Sequence, residues 1–203
     1  MVRVLTLDAS MAVCSVGLVD DDTLVGERRI EGDLAALPAL IGELFGAHGR
    51  EIDLVAVTVG PGSFTGLRSS IALAHGVALA AGVSAVGVTV GAALQPAGGL
   101  PFWAAIDSKR GRVFLERDGQ IESVALDTLP LPAGPILLGG DAALAVGEAL
   151  AARGADIRLS SHRVPEPVGI AQAALAGRIV AAQPIYVDPP AARPGPAGRP
   201  EPV

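Results

Sequence analysis

A strand, a glycine-rich corner and a helix without a polar face follow one another near the middle of the chain, and this succession constrains the fold most. Ile52 to Val59 reads as a buried strand, Gly60-Pro61-Gly62-Ser63-Phe64-Thr65-Gly66 as the turn, and Leu67 to about Gly82 as the helix. The polar residues of that helix are only Arg68, Ser69, Ser70 and His75. A helix that is apolar on every side must be covered on every side. A sheet covers one side, so the remainder must meet a second helix of the same chain or another subunit. Small residues Ala72, Ala74, Gly76 and Ala78 would let a partner helix come close. The uncharged stretch from Ile71 to Leu94 is long enough to cross a bilayer, but His75, Ser84, Thr89 and several glycines interrupt it, so it reads as globular interior and no membrane span is expected.

Upstream, Val2 to Leu7, Val13 to Val19 and Leu24 to Ile30 are short apolar runs separated by turn formers, with Asp20-Asp21-Asp22 as a solvated hairpin turn. Leu34, Leu37, Ile41, Leu44, Phe45 and His48 then recur at helical spacing behind a capping Asp33, which predicts an amphipathic helix with Pro38 in its first turns. Three strands, a helix, a strand and a helix in that order build a mixed sheet with helices on its faces, as in ribonuclease-H-like domains, although order alone admits other α/β folds. From Pro101 the pattern restarts, with strands at Phe102 to Asp107, Arg112 to Arg117, Ile121 to Leu126 and Ile136 to Leu138. Helices follow near Asp141 to Arg153 and Val168 to Ala182. The expectation is two related α/β lobes, residues 1–100 and a smaller 101–187, followed by a proline-rich tail at 188–203 that is expected to be disordered.

Composition narrows the partners. The 203 residues carry a net charge of −6, and their fourteen Arg and one Lys (Lys109) are scattered, so the chain lacks the clustered cations that hold nucleic acid unaided. The single cysteine, Cys14, lies in an apolar run, which excludes an intramolecular disulfide or a Cys-rich zinc site and suits a reducing cytoplasm. The first residues, Met1 to Asp8, lack a basic segment followed by a long apolar one, so a cytoplasmic location is expected.

The corner at Gly60 invites a nucleotide reading, because a strand, a glycine turn and a helix aim backbone N–H groups at an anion. A Walker loop requires G-x-x-x-x-G-K-[ST], yet Leu67 stands in the lysine position and Pro61 removes a donor. The spacing of Gly60, Gly62 and Gly66 also misses the dinucleotide fingerprint. A tight structural corner, a partner-binding corner and an anion contact through Gly60, Gly62 and Ser63 all stay open. Asp8 and Ser10 end the first strand, where an acidic residue could hold a hydrated cation. With Asp107 and Asp141 from the second half they sketch a magnesium-nucleotide site, and an ATP-dependent phosphotransferase or ATPase acting alone is the competing enzyme reading. His48, His75 and His162 form no H-x-x-x-H pair, and Ser63 does not sit in a G-x-S-x-G elbow, so no metal ligand set and no catalytic residue is assigned.

Gly60 to Ala78, G-P-G-S-F-T-G-L-R-S-S-I-A-L-A-H-G-V-A, resembles the hallmark segment of the TsaB family, also called YeaZ. Leu5 to Ser10, Cys14 to Leu18 and Ala105 to Phe114 resemble that family's opening strands and second-lobe hairpin, and Pro184-Ile185-Tyr186 its closing P-x-Y element. The usual Leu-Arg continuation is replaced by Val187-Asp188, and Gly32-Asp33 stands where His-Ser is frequent. The resemblance implies a tandem ribonuclease-H-like fold of the actin, sugar-kinase and Hsp70 type. It implies a non-catalytic scaffold subunit in making threonylcarbamoyladenosine beside the tRNA anticodon. The transfer would be done by a paralogue, TsaD, with the ATPase TsaE joining the complex and tRNA reached indirectly through it. On this reading no cofactor belongs to the isolated chain, ATP or ADP with magnesium would sit at the joint with TsaD, and a homodimer would form when TsaD is absent. Leu37, Ile41, Leu44, Arg68, Ile71 and His75 are the expected docking residues, with Ile41→Arg expected to abolish the complex. An older glycoprotease label for relatives of this fold is disfavoured by the missing histidine pair.

Overall fold

The computed structural model describes residues 1–187; the tail expected at 188–203 lies outside the described residues. The first sheet is built from β1 (Arg3–Asp8), β2 (Val13–Asp20), β3 (Thr23–Glu31), β4 (Leu54–Thr58) and β5 (Ser84–Val88), in the spatial order β3-β2-β1-β4-β5. Its first three strands form an antiparallel meander, with Thr6 opposite Gly17 and Val16 opposite Arg28. β4 and β5 add in parallel through the crossover helices α1 (Leu37–His48) and α2 (Phe64–Ala81).

The second sheet repeats this plan with β6 (Phe102–Asp107), β7 (Val113–Arg117), β8 (Gln120–Val124), β9 (Ile136–Gly139) and β10 (Ile157–Leu159), ordered β10-β9-β6-β7-β8. In each sheet, the third, second, first, fourth and fifth strands of the lobe lie side by side. This is the expected tandem ribonuclease-H-like architecture, two mixed sheets flanked by helices. α3 (Val90–Leu94) joins the lobes and α4 (Ala143–Ala151) covers one face of the second sheet, packing Val146 and Leu150 onto Leu115 and Leu138.

Strand alternation explains which side chains go where, because successive residues point to opposite faces. On β1, Leu5 and Leu7 join Val55 and Val57 of β4 under α1 and α2, while Val4 and Ala56 face the other way. That other face is covered by α5 (Pro167–Leu175), through Ile170, Ala171 and Ala174. A Cβ at Gly17 would lie 2.5 Å from the Pro167 Cβ, so the glycine lets α5 approach β2 closely.

α5 and the residues after it thus belong in space to the first lobe, although the expected 101–187 division counted them with the second. The predicted helix at Val168 to Ala182 ends earlier, at Leu175, and the chain then returns along the first sheet. Val180 pairs antiparallel with Gly87 on the outer edge of β5, and Ile185 donates its N–H to the Val59 carbonyl at 2.8 Å. The strap from Val180 to Val187 thus pairs the open edge of β5 at Gly87.

α1 and α2 begin and end as their sequences dictate. Asp33 accepts from the Ala35 N–H and caps a short 3-10 turn, Leu34–Ala36, ahead of α1, where Pro38 sits in the first turn and costs no hydrogen bond. Ser63 caps α2 by accepting from the Gly66 N–H, and Gly82 closes it at φ 70°, a left-handed conformation that glycine adopts without Cβ strain. Cys14 is buried in the first core, which pushes its thiol pKa up, as suits an unreactive packing residue.

Candidate functional site

Two surfaces gather the residues singled out from the sequence. One is a cleft of about 740 Å³ between the lobes, and the other is the outer face of α1 and α2.

The first-lobe wall of the cleft carries Ser10, Gly62 and Ser63, and the second-lobe wall carries Asp107, Lys109 and Asp141. The glycine corner is locked against the end of β1. A Cβ at Gly62 would lie 2.2 Å from the Ser10 carbonyl oxygen and one at Gly66 2.0 Å from that of Ala9. Ser63 donates its N–H to the Ser10 carbonyl at 2.7 Å, and its hydroxyl is taken by the Gly66 N–H at 3.2 Å. Two of the donors that could greet an anion, the Ser63 and Gly66 N–H groups, are therefore spent inside the corner. Gly60 stands behind the wall, and its carbonyl accepts from the Val90 N–H at 2.8 Å.

Asp8 is buried and does not line the cleft. Its Oδ1 accepts from the Ser10 N–H at 3.1 Å, the Ser10 hydroxyl at 2.6 Å and the Thr58 hydroxyl at 2.5 Å. Burial raises its pKa above the ordinary carboxylate value, and the Ser10 and Thr58 hydrogen bonds only partly offset this. A carboxyl pushed toward its neutral form behind a wall is poorly placed to hold a dication. Across the cleft, the Lys109 ammonium lies 2.8 Å from Asp107 Oδ2 and 4.0 Å from Asp141 Oδ2, and Asp141 Oδ1 accepts from the Asp107 N–H. The Lys109 hydrogen bond holds the Asp107 pKa below its usual value, while burial raises that of Asp141. Lys109 thus balances the two cleft carboxylates, and with Asp8 buried behind the wall these residues are poorly suited to hold a magnesium nucleotide on this chain alone. Among the described residues, no group of three or more His, Cys, Asp and Glu side chains is placed to hold a metal ion.

The expected docking residues divide. Leu37, Ile41, Leu44 and Ile71 are at most 5% exposed and pack into the first lobe's own core, so they are not on a docking surface. The physical reason is that helical periodicity in apolar residues marks the face turned to the sheet. Ile41→Arg would break the lobe before it could report on docking. Arg68 and His75 are exposed but engaged by the strap: Arg68 Nε donates to the Tyr186 hydroxyl at 2.7 Å, and His75 Nε2 lies 2.9 Å from the Ala182 carbonyl oxygen.

What α1 and α2 turn outward is mostly small, with Leu79 projecting from it. Ala72, Gly76, Leu79 and Ala80 of α2 are exposed, Leu79 by 84%, as are Ala39, Gly42 and Gly46 of α1. A Cβ added at Gly42, Gly46 or Gly76 would meet nothing within 4 Å. Periodicity does not single out Leu79, because α2 is apolar nearly all round and its outward residues look like its inward ones; the small residues Ala72 and Gly76 are visible as such. No helix among the described residues is long and apolar enough to cross a membrane.

Residues 35–177 match the model of the family described as TsaD: tRNA N6-adenosine threonylcarbamoyltransferase. Over 123 residues the chain is 32% identical to the tRNA threonylcarbamoyladenosine biosynthesis protein TsaB of Escherichia coli, covering 55% of this chain and 53% of that protein. This chain belongs to the TsaB/YeaZ family. It spans about half the length of the TsaB relative it matches. YeaZ from Pseudomonas aeruginosa superposes with a TM-score of 0.71 at 23% identity, covering 92% of this chain and 100% of that one. The ROK hexokinase from Thermus thermophilus superposes with a TM-score of 0.51 at 14% identity, over 85% of this chain and 97% of the kinase. At these identities both speak for the shared two-lobed actin and sugar-kinase fold, and the TsaB/YeaZ assignment rests on the sequence matches.

Proposed function

We propose that this chain serves the biosynthesis of threonylcarbamoyladenosine in tRNA as a non-catalytic scaffold subunit, docking TsaD through the outer face of α1 and α2. The observation that carries the reading is that face. Leu79 stands 84% exposed beside Ala72 and Gly76 on α2, with Gly42 and Gly46 open on α1, so a partner helix could approach the backbone closely. The family's name links its members to this tRNA modification, and the locked corner, buried Asp8 and Lys109-bridged carboxylates leave this chain poorly equipped for phosphoryl transfer by itself. Transfer to adenosine then belongs to TsaD, with TsaE joining the complex, tRNA reached through it, and the assembly working in the cytoplasm. The same face pairs two copies of this chain when TsaD is absent.

The test is reconstitution. Purified TsaD, TsaE, threonylcarbamoyl donor and tRNA are combined with and without this chain, and modified adenosine is measured. Strong dependence on the chain is expected; equal modification without it would refute a scaffold role.

A further inference from the structure

The cleft retains a feature that neither docking nor phosphoryl transfer uses. Arg68 is held in place twice over: its Nε donates to the Tyr186 hydroxyl at 2.7 Å, and its guanidinium carbon lies 3.8 Å from the Phe64 ring centroid. Both of its Nη groups are left without a protein partner among the described residues. An arginine whose guanidinium rests over a ring and whose Nε is anchored presents a ready fork for a carboxylate or phosphate, because little side-chain entropy remains to be lost. Arg110 lies on the opposite wall, where Lys109 is already balanced by Asp107 and Asp141.

The interior between these cations is apolar. Met11, Leu67, Ile106, Phe114 and Ile185 line it, with Leu67 and Ile106 almost wholly buried. The strap residues Ile185 to Val187 form part of the wall. A volume of about 740 Å³ falls in the range of small-molecule sites, and such sites pair an apolar lining with a few fixed polar groups. We infer that the cleft binds a small amphipathic anion, an apolar or aromatic body seated between the lobes with its carboxylate or phosphate on the Arg68 fork. A magnesium nucleotide is the wrong occupant, since the carboxylates that would take the metal are bridged by Lys109. Filling of the cleft is independent of docking through the outer face of α2, and each is read by its own experiment.

The probe is anilinonaphthalene sulfonate, an aromatic anion that fluoresces when buried, titrated into the full chain. Saturable binding at one site is expected, displaced by octanoate, by phenyl phosphate or by both, which tells a carboxylate head from a phosphate one. Arg68→Gln should weaken binding about tenfold, the loss of one charge-assisted contact. Ala12→Phe, an exposed position on the cleft wall, should block the site without altering its charge, and Leu144→Ser, an exposed apolar residue on α4, should change nothing. Circular dichroism verifies folding of each variant, and Ala12→Phe decides the matter should Arg68→Gln fail to fold. The inference is overturned by absence of saturable binding at millimolar probe, by binding that survives Ala12→Phe unchanged, or by displacement with Mg-ATP but with neither octanoate nor phenyl phosphate.

Discussion

Asp8 illustrates how one residue changes meaning between sequence and structure. At the end of β1 it has the position of a cation ligand, yet three hydrogen bonds converge on its Oδ1 inside the first lobe. Its pKa is raised in the folded state, mainly by burial, so the folded chain keeps the proton to higher pH than the unfolded one does. The stability linked to this group is therefore fully present below the unfolded carboxylate value and declines as pH climbs toward the raised one. Asp8→Asn retains Oδ1 and cannot ionise. It should melt at or above the wild-type temperature at neutral pH and lose that advantage in acid, which thermal melts across pH would check. Asp8→Ala strips the acceptor from three donors and should cost about 2–3 kcal/mol in denaturant titrations. A neutral-pH melting temperature for Asp8→Asn far below wild type would contradict a structural role for the buried carboxyl.

At the scale of elements, helix limits were legible because they depend on local chemistry. Asp33 and Gly82 mark ends of the predicted helices and both serve there, whereas the cap at Ser63 is hidden in the glycine corner: the sequence places the helix start at Leu67, and it begins at Phe64. Two strands escaped notice: β5 is hidden in a run of alanine, glycine and valine, and β10 has only three residues. The docking residues went astray for a deeper reason. A stripe of Leu37, Ile41 and Leu44 is what a helix needs to bind its own sheet, whereas a face that binds another helix can be built from alanine and glycine, which carry no periodic signal. The two faces predict opposite mutational behaviour. Ile41→Ala should cost about 2–5 kcal/mol of stability by leaving a cavity. Leu79→Arg should stay within about 0.5 kcal/mol of wild type, since its side chain is exposed. Chemical denaturation of the two variants separates them.

For the molecule as a whole, the restart of the strand pattern at Pro101 made the two lobes readable, but the return of α5 and the strap to the first sheet was not. Apolar periodicity says that α5 must be covered, and only tertiary contact says by which sheet. That return ties the end of the described chain to α2 through Tyr186 and Ala182 and completes the wall of the cleft. Lys109 between Asp107 and Asp141 predicts no measurable heat when Mg-ATP is titrated into the isolated chain, and saturable millimolar binding would revive the phosphotransferase reading. Light scattering of the isolated chain should report a dimer that Leu79→Arg converts to a monomer. Docking itself is tested most directly by co-purification: tagged TsaD from the same organism is passed over the wild-type chain and over Leu79→Arg, both verified as folded. Equal-stoichiometry capture of the wild type with loss of the variant is expected. Capture of folded Leu79→Arg at wild-type yield would contradict a docking face on α2.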